Sequence, residues 1–282
     1  MDRALFKSHA KINLSLDITG VRSDGYHELS TIMTEIPLWD EINIKKTAEG
    51  ICLTCPPWLP SGSDNLAYRA AELFFAETGI SGGAAIELKK NIPAGAGLGG
   101  GSSNAAAVIN GLDRLYETSL SIQKRREMAA RLGADVPFFI TGGTALCEGI
   151  GERITPLSRG LENCFLVLCK PEKGLLTGEV YAAYDRVGAG SSTDTRTMLK
   201  ALETGDIAAI AAGAANALEG AALTLLPEVG EIKSAMLTHG SLGACMSGSG
   251  SAVFGIFAGQ AAAAACGREL RQRFDLVFEL SL

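Results

Sequence analysis

A mixed fold of strands and helices, α/β or α+β, is what this sequence predicts, and three observations predict it. Residues 9–18 alternate apolar and polar with a period of two, which marks a half-buried strand. A strand-like run at 84–90 leads to a glycine-rich loop, which feeds an alanine-rich helix. The second half then mixes alanine-rich helical runs with short apolar strands, so neither element type is segregated. The 282 residues suit about two domains. The boundary is placed between Gly151 and Asn163, giving domains at 1–155 and 156–282.

Hydrophobic residues make up 47% of the chain and charged residues 20%, which is the composition of a soluble protein with a real core. A net charge of −6 argues against a nucleic-acid partner held by bulk electrostatics. The start carries Asp2, Arg3 and Lys7 with no long apolar run behind them, so no ordinary signal peptide is expected. No uninterrupted apolar stretch of about 18 residues exists, so no membrane span is expected. Seven cysteines, most of them in apolar runs such as Phe165–Cys169, suit reduced, buried thiols in a cytoplasm. The lone Cys52-Leu53-Thr54-Cys55 lacks a second ligand pair for zinc. Its cysteines are expected to be buried in a strand, and no metal ligands are assigned.

In the first strand Ala10, Ile12, Leu14, Leu16 and Ile18 share one face, and Lys11, Asn13, Ser15 and Asp17 share the other. Taken alone, such a polar face is usually solvated. A turn at 20–25, signalled by Asp24-Gly25, precedes Tyr26-His27 and a strand over 29–36. Residues 41–45 and 51–55 alternate again and predict a hairpin near Glu49-Gly50. Ser61 to Asp64 reads as the cap of a helix through Thr78, with Leu66, Ala70, Leu73 and Phe74 on one face and Gly79 at its end. After the glycine loop a helix runs to about Tyr116, and Ser121 caps another over 122–132, closed by Gly133. Asp135 precedes a short helix whose first turn holds Pro137. It can cap that helix, or it can be a shielded functional carboxylate beside Phe138 and Phe139. The residues alone leave these two readings open.

Beyond 163 the predicted elements are a strand at 165–169, a helix at 177–187 with Val180, Tyr181 and Tyr184 on its apolar side, and a Gly/Ser/Thr loop at 188–197. Helices follow through Leu199, 207–218 and 228–239. A second Gly/Ser loop spans 244–251, then come a strand at 252–257, a helix at 260–273 and a strand at 275–280.

The loop carries the chemistry that the residues themselves declare. Five glycines fall between Gly95 and Gly101, and Ser102, Ser103 and Asn104 close the run. Glycine admits positive φ and close approach of a ligand. Ser102 or Ser103 is a natural N-cap, and a helix N-terminus that receives such a loop is an anion site, most commonly for phosphate. No lysine stands in the loop, so it is not a Walker loop. The run Gly95-Ala96-Gly97-Leu98-Gly99-Gly100 matches the dinucleotide fingerprint, but the acidic residue that fingerprint wants is missing at the right distance.

Three motifs stand together: Ala10-Lys11-Ile12-Asn13-Leu14, the run from Pro93 through Asn104 to Ala106, and Ser247-Gly248-Ser249-Gly250-Ser251. In combination they resemble the GHMP kinase superfamily of small-molecule kinases. Arg22-Ser23-Asp24-Gly25-Tyr26-His27 and Gly133–Phe138 resemble the branch acting on 4-diphosphocytidyl-2-C-methyl-D-erythritol. His9 departs from the pattern, which often has Ala or Pro there. The resemblance implies a ribosomal-S5-like N-terminal domain, a ferredoxin-like C-terminal domain and a site in the cleft between them. It implies transfer of the γ-phosphoryl group of ATP to the substrate's 2-hydroxyl, as a step in the non-mevalonate supply of isoprenoid precursors. By the same mapping Lys11 and Asp135 are the catalytic pair. Asn65, Leu66 and Lys90, with Pro93, Gly95, Gly97, Leu98, Gly99, Gly100, Gly101, Ser102, Ser103 and Asn104, hold the nucleotide. Asn13, Tyr26, His27, Tyr181 and Asp135 meet the substrate. Mg²⁺ is implied on the ATP phosphates, with Ser103 as a neighbour, and the chain is expected to be a monomer or weak homodimer. The two tyrosines can sandwich a pyrimidine or be core residues.

Overall fold

The structure, a computed structural model, describes residues 2–188 and 194–282. Its backbone divides into two compact units that interleave along the chain. Unit 1 comprises 1–10, 38–92 and 99–142, and unit 2 comprises 11–37, 93–98 and 143–282. Two long strands, β1 (Arg3–Val21) and β2 (His27–Thr47), contribute residues to both units.

Unit 1 builds a short sheet and covers it with helices. The strands β3 (Gly50–Thr54) and β4 (Gly83–Lys89) run parallel, and β4 pairs antiparallel with 41–47 of β2. The hairpin expected at Glu49-Gly50 therefore does not form, because β4 lies between β2 and β3. Helix α1 (Leu66–Thr78) packs on α2 (Gly100–Tyr116). Its cap is Asn65, not the Ser61–Asp64 run: Asn65 Oδ1 accepts from Ala67 N at 3.0 Å. Gly79 ends α1 at φ 66°, as the sequence indicates. Ala67, Ala70, Ala71 and Phe74 form its buried face. Leu66 and Leu73, expected there, are only half-buried. Helix α2 lies close on the sheet because Gly111 has no side chain; a Cβ there would come within 2.6 Å of Ile44 Cδ1. Helices α3 (Ile122–Ala130) and α4 (Val136–Thr141) complete the unit. Ser121 caps α3 through Lys124 N, and the helix ends at Arg131 rather than Gly133.

Unit 2 holds β5 (Thr144–Gly149), which pairs antiparallel with 29–34 of β2 and with β6 (Arg153–Pro156). It also holds a four-stranded sheet made of β7 (Phe165–Lys170), β9 (Gly243–Met246), β10 (Val253–Phe257) and β11 (Leu276–Ser281). The helices between β7 and β9 are α5 (Thr177–Val187), α6 (Thr195–Thr204), α7 (Ile207–Ala212), α8 (Glu219–Leu225) and α9 (Glu228–Thr238), and α10 (Gln260–Leu270) joins β10 to β11. Their spatial order is β11-β7-β10-β9, with every pair antiparallel. Helices separate β7 from β9 and β10 from β11, so the connectivity is β-α-β-β-α-β, the ferredoxin-like arrangement. The core under this sheet joins Val167, Cys169, Val180, Met236, Phe257 and Cys266, among others.

Three expectations in this half are corrected. The helix expected over 207–218 stops at Ala212, and Ala215–Asn216 form a two-residue strand, β8, parallel to Ser15–Leu16 of β1. Residues 244–246 of the expected second loop belong to β9. The loop expected over 188–197 falls partly at 189–193, outside the described residues; from Thr195 onward the chain is already α6. The cysteines are free; Cys147, Cys164, Cys169, Cys245 and Cys266 are buried. Cys52 is exposed and Cys55 half-buried, against expectation. Burial pushes the Cys169 thiol up to about 12. No described helix is long and apolar enough to cross a membrane.

Candidate active site

In unit 2 the polar face of β1 is not solvated. Lys11 is 2% exposed and Asn13 1%, and the cause lies in what packs over them. Lys11 Nζ donates to Asn13 Oδ1 at 2.6 Å, Asn13 Nδ2 to Thr31 Oγ1 at 2.8 Å, and Thr31 Oγ1 to the Ser15 carbonyl at 2.6 Å. The second Gly/Ser loop closes over this row. A Cβ on Gly248 would sit 3.1 Å from Lys11 Nζ and 3.3 Å from Asn13 Oδ1, so glycine there lets backbone lie against the ammonium. The first loop reaches the same place, since Lys11 N donates to the Leu98 carbonyl at 3.0 Å. Ser247 Oγ donates to the Gly97 carbonyl at 3.0 Å, and a Cβ on Gly97 would lie 2.0 Å from the Ser247 carbonyl oxygen. Asn216, from the short β8, fixes the second loop by donating to the Met246 and Gly248 carbonyls at 2.8 and 2.7 Å. Unit 2 therefore gathers Lys11, Asn13, Gly97, Leu98 and the Ser247–Gly250 turn around one buried cation. Gly95, in the same loop, faces Gly174, whose Cβ would meet the Gly95 carbonyl oxygen at 3.1 Å; Pro93 opens this segment.

Tyr26 and His27 follow the turn at the end of β1. Arg22 N donates to the Tyr26 carbonyl at 2.8 Å, and Gly25 adopts φ 87°. The Tyr26 N–H, accepted by Asp24 Oδ1, holds the Asp24 carboxyl below the usual carboxylate range. Tyr26 is 62% exposed, so it is not a core residue. The His27 side chain is 9% exposed and donates from Nε2 to Asp185 Oδ1 at 2.8 Å. Its ring lies 4.9 Å from that of Tyr181 and edge-on to Tyr184 at 6.0 Å. Tyr181 is half-buried and also packs against the core cluster of unit 2.

Unit 1 resumes at Gly99, at the start of helix α2, while 93–98 of the glycine loop belong to unit 2. Gly95, Gly97 and Gly99 take φ values of 60°, 72° and 69°, which side chains with a Cβ resist. The N-cap is Gly99 and no side chain caps the helix; Ser102 and Ser103, expected as caps, lie inside the first turn. An uncapped first turn keeps its N–H groups for an anion. Ser103 is 3% exposed and its Oγ accepts from Ser8 Oγ at 2.7 Å. Gly101 stands beside Leu66, whose Cδ1 would be 3.6 Å from a Cβ there. Asn65 spends its side chain on structure, capping α1 and donating to the Pro60 carbonyl at 2.8 Å. Lys90 pairs with Asp40 and donates to Asn104 Oδ1 at 3.2 Å. Asp135 precedes α4 at φ −82°, ψ −15°, half-buried, and makes no capping bond to it. Of the two readings of this carboxylate, the cap is therefore the one the geometry lacks.

Asp40, Thr31, Asn216 and Asp185 were missed in the sequence, whereas Ser247 stands in the third motif. Asp40 had a signal: it shares parity with Leu38, Ile42 and Ile44, a carboxylate on the apolar face of an alternating strand. The others act through partners distant in the chain and leave no local pattern.

The family model of the GHMP kinases N terminal domain matches residues 65–143, and that of the GHMP kinases C terminal matches 198–276. The chain is 42% identical over 275 residues to a protein of Clostridium botulinum (strain Loch Maree / Type A3) named 4-diphosphocytidyl-2-C-methyl-D-erythritol kinase, covering 97% of this chain and 98% of that one. It is 43% identical over 258 residues to a protein of that name from Acetivibrio thermocellus, covering 91% of each. A crystal structure of 4-(cytidine 5'-diphospho)-2C-methyl-D-erythritol kinase superposes with a TM-score of 0.85 at 37% identity over 98% of both chains. Homoserine kinase from Cytophaga hutchinsonii shares the fold, with a TM-score of 0.78 at 19% identity over 100% of this chain and 95% of that one. With family models matching in both halves and relatives alike over nearly the whole length, the chain belongs to the GHMP kinase family.

Proposed function

We propose that this protein transfers the γ-phosphoryl group of ATP to the 2-hydroxyl of 4-diphosphocytidyl-2-C-methyl-D-erythritol, in the non-mevalonate supply of isoprenoid precursors. The observation that carries the reading is the near-full-length likeness to relatives named for that kinase activity. Homoserine and mevalonate kinases are like it only in fold, at 19% and 16% identity.

Phosphoryl transfer demands positioning and charge stabilisation more than covalent participation by the protein. The Gly95–Asn104 segment offers N–H groups to the phosphates, with Lys90, Asn65 and Leu66 on the nucleotide side. Asp135 accepts the proton of the substrate hydroxyl, and Lys11, already desolvated, supplies positive charge as the alkoxide develops. Asn13, Tyr26, His27 and Tyr181 hold the cytidyl substrate, with aromatic faces for the base. The residues fit a magnesium ion travelling with ATP. A hydroxyl oxygen is the hard donor magnesium takes, and Ser103 Oγ is one, oriented by Ser8. Ser103 would hold the ion alongside the phosphates, and when bound it would offset their charge. The domains at 1–155 and 156–282, a cytoplasmic location and a monomeric or weakly dimeric state belong to the same reading. The family-model matches at 65–143 and 198–276 fall on either side of that boundary. Incubation with ATP and the cytidyl alcohol should release ADP and a product whose new phosphorus signal is a phosphate monoester on the 2-hydroxyl. No ADP release would remove the assignment.

A further inference from the structure

Asp40 lies on the apolar face of β2 with 0% exposure. Its Oδ1 accepts from Asn91 N at 2.7 Å and Ile92 N at 2.8 Å. Its Oδ2 accepts from Asn104 Nδ2 at 2.8 Å and from Lys90 Nζ. The Lys90 side chain is only 7% exposed, and its ammonium also reaches Asn104 Oδ1. A Cβ on Gly100 would stand 3.1 Å from Lys90 Nζ, so the cation lies against the first residue of α2.

A buried ion pair is a poor source of stability, because apolar residues of the same volume often do as well or better. The location of this pair suggests a different use. Asn91 and Ile92 are where the chain leaves β4 for the glycine loop, and Asn104 is where it has already entered α2. One carboxylate therefore ties both ends of the loop. It also fixes an ammonium at the uncapped end of a helix, where the positive pole and the cation would otherwise repel. We infer that Asp40 is a positioning residue for the nucleotide: it holds Lys90 and the two ends of the glycine loop in the geometry that receives ATP. The inference rests on the nucleotide-binding reading of Lys90 and the loop given above.

Asp40→Asn keeps the shape and can still accept from Asn91 and Ile92, but it loses the charge that holds Lys90. The Kd for ATP and the KM for ATP should both rise by at least about tenfold, the scale of a lost charge-assisted hydrogen bond. The KM for the alcohol substrate and kcat at saturating ATP should change far less, a split that a general loss of structure would not give. The double variant Asp40→Asn/Lys90→Gln removes the uncompensated buried charge. Its Tm should return toward that of the unaltered protein while ATP binding stays weak, and it remains readable if the single variant does not fold. Recovery of both Tm and ATP affinity in the double variant would overturn the inference, as would a folded Asp40→Asn with unchanged ATP affinity. A parallel Gly99→Val variant separates the two levels. If it also binds ATP normally, the loop reading falls and takes this inference with it. If it loses ATP while the Asp40 variants keep it, only the role of Asp40 falls.

Discussion

Replacing Asp135 by Asn keeps the volume of the side chain and removes one negative charge. The carboxylate makes no capping bond to α4, so the short helix should tolerate the change. Asp135→Asn should lower kcat by at least about 100-fold, the ordinary worth of a general base, and leave ATP binding and Tm nearly intact. Near-normal turnover would return Asp135 to a structural role. Tyr26 makes a second residue-scale case. At 62% exposure it has little packing to lose, so Tyr26→Ala should leave Tm unchanged. It should raise KM for the cytidyl substrate, since stacking on a base is worth roughly 1–3 kcal/mol; an unchanged KM would exclude it from the clamp. At this scale the sequence was partly legible. The period of two put Lys11 and Asn13 on one face, but their burial depends on Gly248, more than two hundred residues away. Cys52 was misread because a lone pair of cysteines carries no sign of which strand face meets solvent, and Cys55 because β3 ends before it at Thr54.

The glycine loop works as a single element because Gly95, Gly97 and Gly99 all take positive φ, which residues with a Cβ resist. Gly99 sits at φ 69° as the N-cap of α2, where a β-branched residue is strained and would fill the space proposed for a phosphate. Gly99→Val should abolish measurable ATP binding in a protein that still folds, as judged by circular dichroism and nucleotide titration. Retained affinity would remove the phosphate role from this loop. Loop and helix were readable together, since glycine density followed by alanine is a local signal. The cap was not: Ser102 and Ser103 have the right chemistry, yet left-handed Gly99 starts the helix before them. The hairpin at Glu49-Gly50 failed for a related reason. A turn signal shows that the chain reverses or bends, but β3 finds its partner in β4, thirty residues further on, and pairs with it in parallel. Likewise Asn65 displaced the serine run as the cap of α1, because capping is settled by which oxygen reaches Ala67 N.

At the scale of the whole molecule, the mixed class agrees with the expectation from the element pattern, and the four-stranded antiparallel sheet of unit 2 with the ferredoxin-like domain that the family resemblance implies. Strand and helix periods are local and survive folding. The interleaving of the two units was not legible, because β1 and β2 are each long enough to serve both, and strand length beyond the alternating core leaves only weak traces in sequence. On the proposed reading, substrate choice belongs to this scale, since it would draw on the Tyr26-His27 turn, on Tyr181 of α5 and on the remainder of the chain. On that reading the cytidyl group is remote from the reacting hydroxyl, and its binding energy would serve to orient that hydroxyl and to raise the rate of transfer. The most direct test compares kcat/KM for 4-diphosphocytidyl-2-C-methyl-D-erythritol with that for free methylerythritol and for mevalonate, at saturating ATP. The account predicts efficient turnover of the cytidyl alcohol and near-background rates for the other two; efficient phosphorylation of free methylerythritol or of mevalonate would contradict it.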